Sequence, residues 1–255
     1  MKAPVVFFDI GHTLALTGDL SARRWLGAHL QLSEEEIRQL GRMIMTHPAQ
    51  SPDELFNAVL PILPRCSKEQ IHDNLVQLWY QQMLWIREIP GARRLLEGLK
   101  DIGWRLGVIS NTWHPAYQGF RQNCPQLATL MDLTILSYQR SCKKPGVEIF
   151  QLALQEANCS PETCWMIGDS FELDLEPACR LGMRTGWVLT HPERERGLLT
   201  EIRQGVRPGP DFTVQQLDEI LPLFREYHVP GAKLGQGNCS SAISPNQLGS
   251  TQNGS

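Results

Sequence analysis

No apolar run in this 255-residue chain approaches the roughly 18 residues that a membrane-spanning helix needs. Charge of one sign is missing too: 24 Lys and Arg stand against 27 Asp and Glu, a net charge of −3, which leaves no electrostatic footprint for nucleic acid or an anionic membrane. Neither is therefore expected as a partner. The seven cysteines are odd in number and scattered, with no CxxC pair; Cys159 and Cys164 are the closest two. They are expected to be reduced, structural thiols, and no His/Cys cluster suggests zinc. Met1-Lys2-Ala3-Pro4 leads straight into a strand-like run rather than a signal peptide, so the expected location is the cytoplasm.

What is present suffices for one large domain or two smaller ones, with 42% hydrophobic residues to bury. Short β-like runs recur at Val5–Asp9, Trp104–Ser110, Leu133–Ser137, Cys164–Gly168 and Thr185–Leu189, separated by helical patterns such as Glu148–Asn158 and Asp174–Gly182. Strands alternating with helices predict an α/β fold, a doubly wound, mostly parallel, Rossmann-like sheet. Right-handed crossovers then bring the polar residues at the strand ends to one edge.

The stretch from Leu16 to Ile89 breaks this rhythm, with helical patterns and no convincing strand. Ser33 and Glu36 are spaced as a capping box, and two further helical runs open on Ser51 and Ser67 before acidic residues. An all-helical insertion over residues 16–89 is expected, within an α/β core of residues 1–15 and 90–228. Residues 229–255, rich in Gly, Ser, Asn and Gln, read as a disordered tail.

Chemistry-bearing residues fall at four successive strand ends. Asp9 ends the first, Ser110 and Asn111 the second, Lys144 precedes Pro145 after the third, and Gly168-Asp169-Ser170 with Asp174 follows the fourth. Each alone has a local explanation: a turn cap at Asp9, a helix cap at Ser110, Asp169 or Ser170, a solvated charge at Lys144. Their common placement at the edge where such sheets bind ligands points instead to one site.

FFDIGHTL, VISN, KKPGVEIF and IGDSFELD, in that order and spacing, resemble the four motifs of the haloacid dehalogenase-like (HAD) hydrolase superfamily, over nearly the whole chain except the tail. The resemblance implies that Asp9 is a nucleophile forming an aspartyl-phosphate, and that Ser110, Asn111 and Lys144 form the substrate-binding set. Ser110 and Lys144 would hold the phosphoryl oxygens. Lys144 stands directly before the proline, as the family's lysine does, with Lys143 the open alternative. One Mg²⁺ would be held by Asp9, the Gly11 carbonyl and Asp169, with Asp174 a direct or supporting ligand. The helical insertion falls at the family's cap position, where Trp25, Phe56, Trp79, Tyr80 and Trp85 could line a pocket or pack within the cap. A small phosphorylated metabolite is the implied substrate.

One station departs from the pattern. Two residues after the nucleophile the family's phosphatases carry a second aspartate, the acid-base group, and here stands Gly11. General acid-base help is worth roughly 10²- to 10⁴-fold in rate. A hydrolase that uses His12 or His114, or a leaving group needing little protonation, is one reading. Dehalogenase-like chemistry is a second, although family dehalogenases need no Mg²⁺ and IGDSFELD retains the acidic metal motif; a phosphonatase-like Schiff base has only Lys68 in the insertion to draw on. A weakly catalytic or inactive phosphate- and metal-binding domain is the third.

Overall fold

The computed structural model describes residues 4–18, 21–193 and 195–227; the tail expected over 229–255 lies outside them. The strands are β1 (Val5–Phe8), β2 (Ala15–Leu16), β3 (Arg87–Glu88), β4 (Arg105–Ser110), β5 (Leu133–Leu136), β6 (Cys164–Gly168), β7 (Arg184–Val188) and β8 (Phe212–Val214). The α-helices are α1 (Ala22–His29), α2 (Glu34–Thr46), α3 (Pro52–Val59), α4 (Lys68–Trp85), α5 (Ala92–Asp101), α6 (His114–Asn123), α7 (Pro125–Leu130), α8 (Ser137–Arg140), α9 (Val147–Ala157), α10 (Glu176–Arg180), α11 (Arg196–Arg203) and α12 (Ile220–Tyr227). None is long and apolar enough to cross a membrane, among the described residues.

Six strands form one sheet in the order β5-β4-β1-β6-β7-β8, every neighbouring pair parallel. The expected doubly wound α/β architecture is therefore present. Strand β1 lies in the middle because VVFF is apolar on both faces: Val6 and Phe8 join the core that includes α5, α6, α7 and α12, whereas Val5 and Phe7 join the one that includes α9 and α10. The order reverses at β1, between β4 and β6, and this reversal opens a crevice at the strands' C-terminal ends.

Helices α1 to α4 bury a separate apolar cluster containing Trp25, Leu40, Ile44, Leu55, Leu75 and Trp79. Ser33 and Glu36 close the predicted capping box at α2, with the Ser33 amide donating to Glu36 Oε2 at 2.8 Å. The chain leaves and re-enters the sheet domain through the antiparallel β2–β3 ribbon, which pairs Ala15 with Glu88 and Leu16 with Arg87. At two residues each, these strands are too short to show a period. The helix expected over Asp174–Gly182 is also modified: a π-helical turn, Phe171–Leu175, precedes a short α10. Asn158, in the left-handed conformation (φ 51°), turns the chain sharply between α9 and β6 and brings Cys159, expected as a reduced thiol, beside Cys164.

The helical cluster is fastened to the sheet domain along α6. Trp113, just before α6, is buried in the insertion's apolar cluster, and its indole N–H donates to Gln82 Oε1 of α4 at 3.0 Å. Asn123 Nδ2 donates to the Met83 carbonyl at 2.8 Å. Between these contacts the helices meet at Gly119, where a β-carbon would lie 2.6 Å from the Met83 carbonyl oxygen and 2.9 Å from its Cα. Alanine normally favours a helix over glycine by up to about 1 kcal/mol. Here the backbone contact reverses the sign: Gly119→Ala is expected to cost about 1–3 kcal/mol, measured as a fall in Tm, and a rise in Tm would show that the two helices yield freely at this point.

Candidate active site

Asp9 follows β1 directly, and its amide continues the strand's ladder by donating to the Ile167 carbonyl at 2.9 Å. Its carboxylate is thereby set at the sheet edge beside β6. Lys144 arrives from the segment between α8 and α9 and is 2% exposed. Its ammonium donates to Asp9 Oδ1 at 2.7 Å and to Asp174 Oδ1 at 2.5 Å. These bonds are made by Lys144 and not by Lys143.

Asp174 is 1% exposed and sits in the π-helical turn, where its other oxygen, Oδ2, accepts from the Ser170 amide at 3.1 Å. Gly168 is required there: its missing side chain leaves the space that the Asp174 carboxylate fills. Asp169 is held from two sides. Its Oδ1 accepts from the Thr13 hydroxyl at 3.3 Å, and its carbonyl accepts from the Trp187 indole N–H at 2.9 Å. Carboxylate oxygens of Asp9, Asp169 and Asp174 all lie within 4.8 Å of one another.

Ser110 ends β4 and is buried, in register with Leu136 of β5. Asn111 spends its amide on the main chain of Lys144: Nδ2 donates to the Lys144 carbonyl at 2.9 Å, and Oδ1 accepts from the Lys144 amide at 2.8 Å. Asn111 thus positions the lysine. The Ser137 hydroxyl fastens the same loop by accepting from the Thr112 amide and donating to its carbonyl, both at 3.0 Å. Thr13, Ser137 and Trp187 were not singled out in the sequence, since a hydroxyl or an indole gains meaning only from the partner folding brings.

Gly11 lies in a tight turn in which His12 adopts the left-handed conformation (φ 56°) and donates its amide to the Ala15 carbonyl at 2.8 Å. A β-carbon on Gly11 would lie 3.8 Å from Asp9 Oδ2 and 3.8 Å from Thr17 Cγ2, so a side chain here would enter the site. His12 is exposed, with Nε2 3.3 Å from the Thr17 hydroxyl. His114 stacks on Trp79 and meets Tyr138 edge-on, and burial holds its pKa below the usual histidine value. Of the insertion's aromatics, Trp25 and Trp79 are core, Phe56 and Trp85 pack against it, and Tyr80 is exposed.

The electrostatics explain what the site lacks on its own. Burial disfavours the charge on Lys144, yet Asp174 and Asp9 outweigh it and hold the ammonium protonated beyond the usual lysine range. Three carboxylates share this one cation. Burial first, then repulsion from Asp9, pushes Asp169 up to about 7; burial, with Asp9 and Asp169 against the pull of Lys144, pushes Asp174 up to about 7. Converging hard oxygen donors that retain protons for want of positive charge fit a divalent cation of the Mg²⁺ type.

The family model of haloacid dehalogenase-like hydrolases matches residues 4–182. A glyceraldehyde 3-phosphate phosphatase of Methanothermobacter thermautotrophicus is 30% identical over 237 residues, spanning 85% of this chain and 98% of that protein. Among solved structures, a HAD phosphatase from Thermococcus onnurineus superposes with a TM-score of 0.54 at 22% identity, covering 88% of this chain and 98% of the other. A 2-haloacid dehalogenase from Pseudomonas syringae pv. Tomato gives 0.60 at 18% identity, covering 88% and 99%. At these identities the two structures speak for the fold.

Because both raised carboxyls bind protons more tightly folded than unfolded, their contribution to stability is full below about pH 4 and is lost as pH rises through about 7. Metal-free protein is therefore expected to melt lower at pH 8 than at pH 5. Millimolar Mg²⁺ should raise Tm by about 5 °C or more at pH 8 and much less at pH 5. Equal metal effects at the two pH values in differential scanning fluorimetry would contradict this account of the cluster.

Proposed function

The chain belongs to the haloacid dehalogenase-like hydrolases, and from that premise we propose that it is a Mg²⁺-dependent phosphatase acting on a small phosphorylated metabolite through an aspartyl-phosphate at Asp9. The observation that carries the proposal is the buried Lys144 ammonium bonded to both Asp9 and Asp174, with Asp169 completing a convergent set of carboxylates. Relatives named as glyceraldehyde 3-phosphate phosphatases support a phosphate ester as substrate.

In this mechanism the Asp9 carboxylate attacks the phosphorus, a P–O bond forms, and the bond to the leaving oxygen breaks. Water then attacks the aspartyl-phosphate, releasing inorganic phosphate and restoring Asp9. Lys144 and Ser110 hold the non-bridging oxygens, Lys144 as a point charge and Ser110 as a hydroxyl donor, while Asn111 fixes the lysine's backbone. Asp9, Asp169 and the Gly11 carbonyl would hold Mg²⁺, with Asp174 in direct or supporting contact; the ion supplies the positive charge that lets a phosphate approach three carboxylates. Residues 1–15 and 90–228 form the catalytic core in this reading, and residues 16–89 a cap that excludes water and selects substrate. The working location is the cytoplasm.

Gly11 favours a second reading, a phosphate- and metal-binding domain with little turnover. Dehalogenase chemistry accounts less well for the site, since it needs no metal and leaves the convergence of Asp169 with Asp9 and Asp174 unexplained. Aryl phosphates, whose leaving groups depart unprotonated, separate these readings. The phosphatase is expected to hydrolyse an aryl phosphate with Mg²⁺, to stop in EDTA, and to lose turnover in Asp9→Asn. Mg²⁺ binding without turnover on a broad panel would instead establish the binding domain. A further expectation concerns Gly11→Asp, which should raise alkyl-phosphate turnover by about tenfold or more with little change on aryl phosphate. An unchanged alkyl rate would show that another group already supplies the proton.

A further inference from the structure

Trp187 of β7 is fully buried and stands in register with Gly168 of β6, beside the loop that carries both acidic residues of the fourth motif. Its ring belongs to a small apolar cluster with Phe171, Leu175 and Leu189, against which side chains of α11 pack, and it meets the Phe171 ring at 5.4 Å between centroids. Phe171 and Leu175 are the two ends of the π-helical turn that holds Asp174, so the indole backs that turn. Packing alone would accept any large apolar side chain at this place. The indole N–H adds a direction, because it donates to the Asp169 carbonyl at 2.9 Å. That carbonyl and the Ser170 amide belong to one planar peptide unit. Its oxygen accepts from Trp187, and its N–H donates to Asp174 Oδ2 at 3.1 Å. The same unit is bonded to the Cα that bears the Asp169 carboxylate. A single peptide plane therefore touches both aspartates, and the two hydrogen bonds polarise each other through it.

We propose that Trp187 is the positioning residue of the metal site: through the Asp169–Ser170 peptide its N–H aims the Asp169 carboxylate and steadies Asp174, and so sets the affinity for Mg²⁺. This rests on the metal site of the phosphatase reading and names a residue that controls it from outside. Thr13 steadies Asp169 from the other end, at the carboxylate oxygen itself. With the indole donor gone, that bond remains but the peptide plane is free to turn, and both carboxylates lose their common reference. Groups that fix metal ligands through hydrogen bonds govern affinity although they never touch the ion.

Trp187→Phe keeps an aromatic ring in the cluster and deletes the donor. Calorimetric titration with Mg²⁺ should give an affinity weaker than that of the unmodified protein by about tenfold or more. Phe171→Leu trims the same cluster without touching the hydrogen bond; it should lower Tm yet change Mg²⁺ affinity by less than about threefold. In turnover of an aryl phosphate, Trp187→Phe should raise the Mg²⁺ concentration for half-maximal rate by about tenfold and leave kcat at saturating Mg²⁺ within about threefold. Should Trp187→Phe lack a cooperative thermal transition, benzothienylalanine at position 187, which puts sulfur in place of the N–H at nearly the same size, carries the same expectation. Unchanged Mg²⁺ affinity in the folded protein without the donor, or equal losses in both variants, overturns the positioning role while the phosphatase reading stands. Affinity that weakens as stated, with no ester turned over by the unmodified protein, upholds the role and defeats the phosphatase reading. Failure of the unmodified protein to bind Mg²⁺ overturns both.

Discussion

The buried ammonium of Lys144 is the constraint around which the candidate site is arranged. A charge 2% exposed to solvent is tolerable only with close partners, and Asp9 and Asp174 provide them at 2.7 Å and 2.5 Å. Those two aspartates come from loops after adjacent parallel strands, β1 and β6, while the lysine comes from the far side of β4. The ion pairs therefore tie the loops on both sides of the strand-order reversal. Around them, small residues and single hydrogen bonds set the details: Gly168 admits the Asp174 carboxylate, the Ser170 amide holds its second oxygen, and the Asn111 amide fixes the lysine's main chain. The lysine neutralises one carboxylate of three, and the remaining negative charge is what makes a divalent cation a natural complement.

The same economy governs the helical insertion. Its ribbon neck pairs only two residues on each side, yet α4 is joined to α6 by the buried Trp113–Gln82 bond, by Asn123, and by close backbone contact at Gly119. Opening the whole insertion would break all three. Helix α2 meets the sheet domain separately, through α8.

The strand ends were legible because the fold concentrates polar residues where apolar β-runs stop, and Asp9, Ser110, Lys144, Asp169 and Asp174 each follow such a run. Periodicity also exposed the insertion and its capping box. The β2–β3 ribbon and β8 escaped notice because strands of two or three residues have no measurable alternation. The π-helical turn at Phe171–Leu175 was invisible for another reason: it forms where Ser170 and Asp174 serve the site, and local propensity alone favours an ordinary helix. Asn111 shows the deeper limit. Its position was readable, but whether its amide meets a ligand or the Lys144 backbone depends on a residue 33 places away.

Gly11 is a chemical feature rather than a conformational one. The left-handed residue in its turn is the next one, His12, and a β-carbon on Gly11 would meet only ordinary van der Waals neighbours at 3.8 Å. Neither backbone strain nor crowding demands glycine at this position beside Asp9 Oδ2. Losing an acid-base group falls hardest on the departure of an alkoxide and only lightly on leaving groups already stable as anions. Asp9, Lys144, Asp169 and Asp174 meanwhile retain their contacts, and Lys144, held so firmly protonated, is a poor proton donor to an alkoxide. For the proposed phosphatase, a side-chain-free position 11 favours substrates whose leaving oxygen is stabilised within the substrate itself.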